Sequence, residues 1–118
     1  MANLSFEFGV HSGLSWIPGE VVKLPHDQYY RKLPNIGWES IEIIKDPIFE
    51  GISNNSDFYF VHSFHLKLSN SKYCLATYKI GDDKIVAAIK KNNIVATQFH
   101  PEKSQENGLK LLENFLTM

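Results

Sequence analysis

The chain has 118 residues, of which 43% are hydrophobic and 21% are charged, proportions that fit one globular domain. A formal net charge of −1 argues against a nucleic acid or an anionic membrane surface as partner. One cysteine excludes an internal disulfide framework, and no apolar run approaches the ~20 residues that span a bilayer. Residues 1–4 also lack the basic and apolar regions of a signal peptide, so we expect a cytoplasmic protein.

The first half of the chain predicts short strands separated by irregular segments. We interpret residues 1–19 as a loop that enters a turn, and residues 20–24 as a short strand. Residues 25–37 contain two prolines and a glycine, which predict an irregular loop. Alternation predicts a strand over residues 38–44, and Asp46-Pro47 predicts a short helical turn that begins at proline.

The second half of the chain predicts an antiparallel meander. Residues 58–64 are nearly all aromatic or β-branched, which predicts a strand covered on both faces. Three further strands are predicted over residues 73–78, 84–89 and 93–99. Gly81-Asp82-Asp83 and Lys91-Asn92-Asn93 have the composition of the hairpin turns that would connect them.

A single helix is predicted to end the chain. Ser104 is placed to cap it, and its apolar stripe is predicted at Leu109, Leu112, Phe115 and Leu116. There is no repeat, linker or change of composition that would mark a domain boundary. The sequence therefore predicts one α/β domain over residues 1–118, a strand-rich meander followed by a C-terminal helix.

The stretch from Gln98 to Ser104 contains the strongest candidate for a catalytic site. It places His100 and Glu102 two residues apart, with Pro101 between them, after an apolar strand. A histidine that takes a proton from a nucleophile needs a third group to hold its ring and tautomer, which Glu102 could do. Proline restricts the backbone at residues 100 and 101, which favours a positioned acid–base pair over the alternative of a surface turn.

Other candidate groups carry weaker signals. His62-Ser63 closes an apolar strand and is interpreted either as a ligand contact through backbone groups or as a partly buried histidine beside a terminal serine. Cys74 has no adjacent base or glycine turn, so we expect a structural thiol and a poor nucleophile. His62 and His65 would point to opposite faces of a strand, and no metal site or cofactor is expected. The chain has no Gly-rich loop that could cradle a phosphate.

Four segments of the chain carry a resemblance to a known enzyme family. They are residues 13–21 (GLSWIPGEV), 33–38 (LPNIGW), 59–64 (YFVHSF) and 98–105 (QFHPEKSQ). In this order they resemble the glutaminase subunit of imidazole glycerol phosphate synthase, a class I, triad-type glutamine amidotransferase. The last segment is common to many triad amidotransferases, whereas the second and third narrow the resemblance to this subunit or a close paralogue.

The resemblance implies a mechanism and a partner. In such enzymes a cysteine attacks the side-chain amide of glutamine; His100 would be its base and would then protonate the leaving ammonia, while Glu102 orients His100. His62, Ser63 and Phe64 fall in the segment that helps to hold the glutamine. Ammonia then passes to a synthase (cyclase) subunit with a (β/α)8 barrel, the partner in a heterodimer. The products, in histidine biosynthesis, are imidazole glycerol phosphate and an aminoimidazole ribonucleotide.

The sequence departs from the family pattern at three points. The family carries its nucleophile in a Gly-x-Cys-x-Gly turn, upstream of the region where this sequence begins to match, so we expect the C-terminal part of the fold only, inactive by itself. Glu39 stands where asparagine is usual, and Phe64 where tyrosine is usual. Two alternatives stay open: a truncated paralogue that acts as a non-catalytic interaction module, and an amidotransferase of surface-polysaccharide sugar biosynthesis.

Overall fold

The computed structural model describes residues 2–5, 11–13, 16–25 and 33–117. Within these ranges the strands are β1 (Leu4–Ser5), β2 (His11–Ser12), β3 (Gly19–Lys23), β4 (Asn35–Ser40), β5 (Glu42–Ile43), β6 (Asp57–His62), β7 (Phe64–Leu68), β8 (Cys74–Ile80), β9 (Asp83–Lys91) and β10 (Ile94–Thr97). Short 3-10 helices span Pro47–Phe49, Ser71–Tyr73 and Pro101–Lys103, and helix α1 spans Gln105–Leu116. Among the described residues, no helix has the length and apolar character needed to cross a membrane.

The predicted meander is confirmed. Strands β8, β9 and β10 pair antiparallel in chain order, and β5 adds to the outer side of β8. Gly81 and Asn92 lie in the two hairpin turns with φ values of 58° and 56°, a backbone region that suits these residue types. The predicted turn at Asp46-Pro47 is confirmed as well, since the Asp46 carboxylate accepts a hydrogen bond from the Ile48 amide at 3.1 Å.

A second sheet has the order β2-β1-β3-β7, in which β1 and β3 are parallel. The predicted strand at residues 20–24 is confirmed as β3, within one residue at each end. The predicted loop over residues 1–19 contains the two-residue strands β1 and β2, although residues 6–10 and 14–15 lie outside the described ranges. Of the predicted loop at 25–37, residues 26–32 also lie outside them.

The predicted single strand at residues 38–44 is wrong, because the chain changes sheets within it. β4 begins earlier, at Asn35, and pairs antiparallel with β6, whereas β5 pairs with β8. Between them, the amide of Ile41 donates to the Ser56 carbonyl and its own carbonyl accepts from the Asn55 amide. Its side chain is fully buried, so Ile41 anchors the point where the strand leaves one sheet for another.

The strand predicted over residues 58–64 is confirmed as β6 up to His62, but the prediction that both of its faces are covered is wrong. Phe58, Phe60 and His62 are buried on one face, but Val61 is 37% exposed on the other. The exposed face of the β4–β6 ribbon is continued by Trp38, which contacts Tyr59 edge to face with ring centroids 5.6 Å apart. The strand ends at His62, and Phe64 belongs to β7.

The core lies between the β4–β6 ribbon and the meander sheet, and α1 closes one side of it. Phe60 packs against Tyr78 and Phe99, with ring centroids 4.5 Å and 5.6 Å away. Helix α1 contributes Leu111 to this core, and the side-chain amide of Asn114 donates to the carbonyls of Ile48 and Glu50.

The predicted apolar stripe of α1 is wrong. Leu109 is 57% exposed and Leu116 is 81% exposed, while Gly108 and Leu111 form the buried side. The reason is the close approach of the helix to the turn before it, since a Cβ at Gly108 would overlap the carbonyl oxygen of Pro101. Backbone proximity at a glycine therefore favours the face that packs, and Leu109 and Leu116 lie on the other side.

Candidate active site

His100 lies just after the meander, on the turn that leads into α1. Its backbone amide donates to the carbonyl of Tyr59 on β6 at 2.9 Å, which extends the ribbon by one interaction. Pro101 follows as the first residue of a 3-10 helix, a position where the absent proline amide costs nothing. The strand pairing and the proline together hold the histidine at the edge of the ribbon.

The side chains of His100 and Glu102 are brought together. His100 Nδ1 lies 2.8 Å from Glu102 Oε1. An ionised carboxylate only accepts hydrogen bonds, so Nδ1 must carry a proton, and in the neutral form of such a ring the lone pair is on Nε2. The backbone amide of Glu102, followed by the bond from His100, lowers the pKa of the Glu102 carboxyl, which favours its ionised form.

Ser104 occupies the predicted helix-capping position, but its side chain makes no capping bond. Its hydroxyl instead donates to the His100 carbonyl at 2.7 Å and accepts from the Tyr59 amide at 3.0 Å. The residue is only 1% exposed. The expectation of a side-chain N-cap is therefore wrong, because two partners on other segments have taken the hydroxyl.

His62 lies inside the protein, with both ring nitrogens engaged. Nδ1 is 2.8 Å from the carbonyl oxygen of Phe64, and Nε2 is 2.7 Å from the hydroxyl of Tyr78. Because a carbonyl only accepts, Nδ1 carries the proton and Nε2 accepts from the tyrosine. Burial lowers the pKa of His62, and the nearby His100 adds to this effect, although the bond to Phe64 opposes it. The imidazole is thus neutral at pH 7 and has no free edge for a ligand.

Asn35 and Tyr78 complete this buried network. Asn35 belongs to the LPNIGW segment of the family resemblance, whereas the sequence offered no signal for Tyr78. The Asn35 side-chain amide donates to the Tyr78 hydroxyl at 3.3 Å, and Asn35 pairs directly with His62 across the β4–β6 ribbon. The hydroxyl can accept from asparagine and donate to histidine at once. The network holds the end of β6 against β8.

Ser63 and Phe64 form the bend between β6 and β7. The Ser63 carbonyl accepts from the Leu24 amide at 2.8 Å, and Phe64 pairs with Lys23 of β3. Both residues are half-buried. The buried side chain of His62 donates to the Phe64 carbonyl, so the histidine supports the bend from the interior of the protein.

Cys74 and His65 are the remaining titratable candidates, and neither is paired with His100 or Glu102 in the way that those two are paired with each other. Burial raises the pKa of the Cys74 thiol, which lies 3.5 Å from the Ala76 carbonyl and stays protonated at neutral pH. His65 Nδ1 is buried, and no hydrogen-bond partner for it occurs among the described residues. Within the described ranges, no group of three or more acidic, histidine or cysteine side chains could hold a metal ion.

The site and the fold together define a class of protein. Residues 13–118 match the sequence model of the family described as glutamine amidotransferase class-I. The chain belongs to this family. The solved structure of a protein from Thermoplasma acidophilum, assigned to GMP synthase, superposes with a TM-score of 0.65 at 22% identity and covers 84% of this chain and 47% of its own. That likeness supports the fold alone.

Curated relatives are more specific. The imidazole glycerol phosphate synthase subunit HisH 1 of Campylobacter jejuni is 53% identical over 93% of this chain and 54% of its own length. The subunit HisH of Pelagibacter ubique is 44% identical over 99% of this chain and 56% of its own length. The HisH of Methanocaldococcus jannaschii is 46% identical over 90% and 52%. The chain thus spans about half the length of the curated relatives it matches.

Proposed function

We propose that this chain carries the acid–base half of a glutaminase active site. The observation that supports this role is the 2.8 Å contact between His100 Nδ1 and Glu102 Oε1. It leaves Nε2 free to take the proton of a cysteine thiol, whose sulfur then attacks the amide carbon of glutamine. The same proton passes from Nε2 to the leaving ammonia. In the second half-reaction Nε2 deprotonates the water that releases glutamate from the thioester.

We assign the nucleophile to the part of the relatives that this chain does not span. Cys74 is unsuited, since burial raises the pKa of its thiol and it belongs to a strand of the core sheet. The family resemblance points to a Gly-x-Cys-x-Gly turn for this role. The 118 residues are then one part of a longer amidotransferase domain, and by themselves they should not turn over glutamine.

We assign the glutamine to the bend at Ser63 and Phe64, held through backbone groups. Both nitrogens of His62 have partners in the protein, so its side chain would support this bend rather than touch the substrate. The ring of Phe60 lies 5.7 Å from that of His62 and 5.6 Å from that of Phe99, the residue before His100, which supports a position of the bend near the proposed base.

We propose that the complete protein delivers ammonia to a barrel-type synthase subunit in the cytoplasm, in histidine biosynthesis. The names of the relatives support the synthase. The exposed face of the β4–β6 ribbon supports a protein partner, since Ile36 and Trp38 are 60% and 46% exposed there. Exposed tryptophans surrounded by apolar side chains are frequent anchors of protein interfaces. The same face would also serve a non-catalytic interaction module, the second candidate function.

The test supplies a nucleophile by fusing the preceding segment of the Campylobacter jejuni relative to this chain. With a barrel-type synthase present, the fusion should release glutamate from glutamine, whereas the unfused chain should not. His100→Ala in the fusion should lower turnover by about 10⁶-fold, as loss of a triad base does. Glu102→Gln should also lower it strongly.

The matched control is Glu106→Gln, an exposed carboxylate in the first turn of α1 that should leave turnover unchanged. Full turnover by the fusion carrying His100→Ala would exclude the proposed base. A fusion that binds the synthase but never releases glutamate would favour the interaction module.

A further inference from the structure

We infer that Ser104 is a positioning residue for His100, an inference that rests on the proposed role of His100 as a base. The serine hydroxyl joins two backbone groups on different segments, the His100 carbonyl at 2.7 Å and the Tyr59 amide at 3.0 Å. The His100 amide in turn donates to the Tyr59 carbonyl at 2.9 Å. Ser104 and these two backbones form a closed set of three hydrogen bonds, which we call the Ser104 clamp.

The clamp and Glu102 hold different parts of His100. Glu102 fixes the ring, whereas the clamp fixes the backbone from which the ring projects. Residue 100 has φ and ψ of −98° and 97°, an extended conformation that must pass within four residues into α1. In the 3-10 helix between them, the amides of Lys103 and Ser104 donate to the carbonyls of His100 and Pro101. These two hydrogen bonds stay within the turn. The clamp is the interaction in this turn that ties it to β6.

A serine suits this position for a steric and a chemical reason. The site is 1% exposed, and a Cβ at Gly108 would lie 2.9 Å from the Ser104 Cβ, so little room is left for a larger side chain. A hydroxyl can donate to one backbone group and accept from another at the same time. Alanine would leave a partly buried amide and carbonyl without this partner, which is more costly than the loss of an exposed hydrogen bond.

The test measures the geometry of the turn directly, independently of glutamine chemistry. In Ser104→Ala, amide hydrogen exchange at Tyr59 and His100 should accelerate by about tenfold, the effect expected when a buried hydrogen-bonding group loses its partner. Ser104→Cys keeps the shape with a weak donor and acceptor, so it should fall between serine and alanine. Ring ¹⁵N shifts of His100, recorded where the ring is neutral, should show less of the Nδ1–H tautomer in the alanine variant.

The matched control is Ser56→Ala, which removes a comparable bond from Ser56 Oγ to the Ser53 carbonyl, 2.6 Å long, in another loop. It should change neither His100 exchange nor the tautomer. Equal exchange at His100 in both variants would overturn the inference. So would uniform acceleration across the core with an unchanged tautomer, the result expected of a residue that only stabilises the fold. If the exchange and tautomer results are as expected but the fusion protein has no glutaminase activity, the proposed function is wrong, whereas the role of Ser104 in holding His100 still stands.

Discussion

The hydroxyl of Tyr78 lies 2.7 Å from Nε2 of His62, although sixteen residues separate the two in sequence. The Phe64 carbonyl fixes the tautomer of the histidine, because it can only accept: Nδ1 must donate to it, and Nε2 then accepts from the Tyr78 hydroxyl. A histidine at the end of a strand next to the proposed substrate bend is in this way a structural residue.

Tyr78→Phe should destabilise the protein by about 1–3 kcal/mol, because it leaves the buried Nε2 of His62 without a donor. Urea unfolding followed by circular dichroism would measure the change. Tyr73→Phe is the control, since the ring of Tyr73 lies at the surface beside Lys72 and Lys91. Its effect should stay within about 0.5 kcal/mol. Equal stability of the two variants would contradict the proposed role of the bond.

Acidification should lower the free energy of unfolding through His62. Burial holds the pKa of His62 in the folded state below the ordinary 6.5. Below pH 6.5 the unfolded chain therefore binds more protons at this residue than the folded protein does. The stabilisation is therefore present above pH 6.5 and is lost as the pH falls toward the lowered pKa. Urea midpoints between pH 7.5 and pH 5 would record the slope.

His62→Gln should flatten this dependence of stability on pH. His65→Gln should flatten it as well, because burial also lowers the pKa of His65. The two variants together separate the two contributions. A slope in His62→Gln as steep as in the unmodified protein would show that His62 takes up its proton equally in both states.

Gly108→Ala should destabilise the protein by about 1–3 kcal/mol, as forced overpacking does. In an ordinary helix the same change stabilises by about 1 kcal/mol, so the sign of the effect identifies the close approach to Pro101. Leu109→Ala, one residue further on the exposed side, is the control and should have a small effect. Thermal melts of the three proteins make the comparison, and a stabilised Gly108→Ala would mean that α1 does not lie as described.

The exposed side of α1 should cause the chain to associate. Leu109, Leu112, Phe115 and Leu116 are all exposed, and contiguous apolar surface promotes self-association. Sedimentation velocity at several concentrations should show a rising average mass. Leu109→Glu combined with Phe115→Glu should reduce it, whereas Lys110→Glu, also exposed, should not. A monomer of the unmodified chain at every concentration would contradict this expectation.

Local patterns determined much of the architecture in advance. The hairpins at Gly81 and Asn92 follow from turn composition, and the strands between them from their β-branched residues. The pairing of His100 with Glu102 was also accessible from sequence, because the two lie two residues apart around a proline. Interactions of this kind are set by the chain within a single turn, so the spacing of residue types is enough to indicate them.

The tertiary structure decided the rest, because it depends on contacts between segments distant in sequence. The sequence predicts Ser104 as a side-chain helix cap, but its hydroxyl instead accepts from the amide of Tyr59, forty-five residues away. Asn35 meets Tyr78 across forty-three residues. The leucine stripe of α1 predicted the wrong face, since periodicity reports which residues are apolar but not how closely a backbone approaches. The buried side of the helix is the side on which the backbone at Gly108 approaches Pro101, and not the side that carries the apolar stripe.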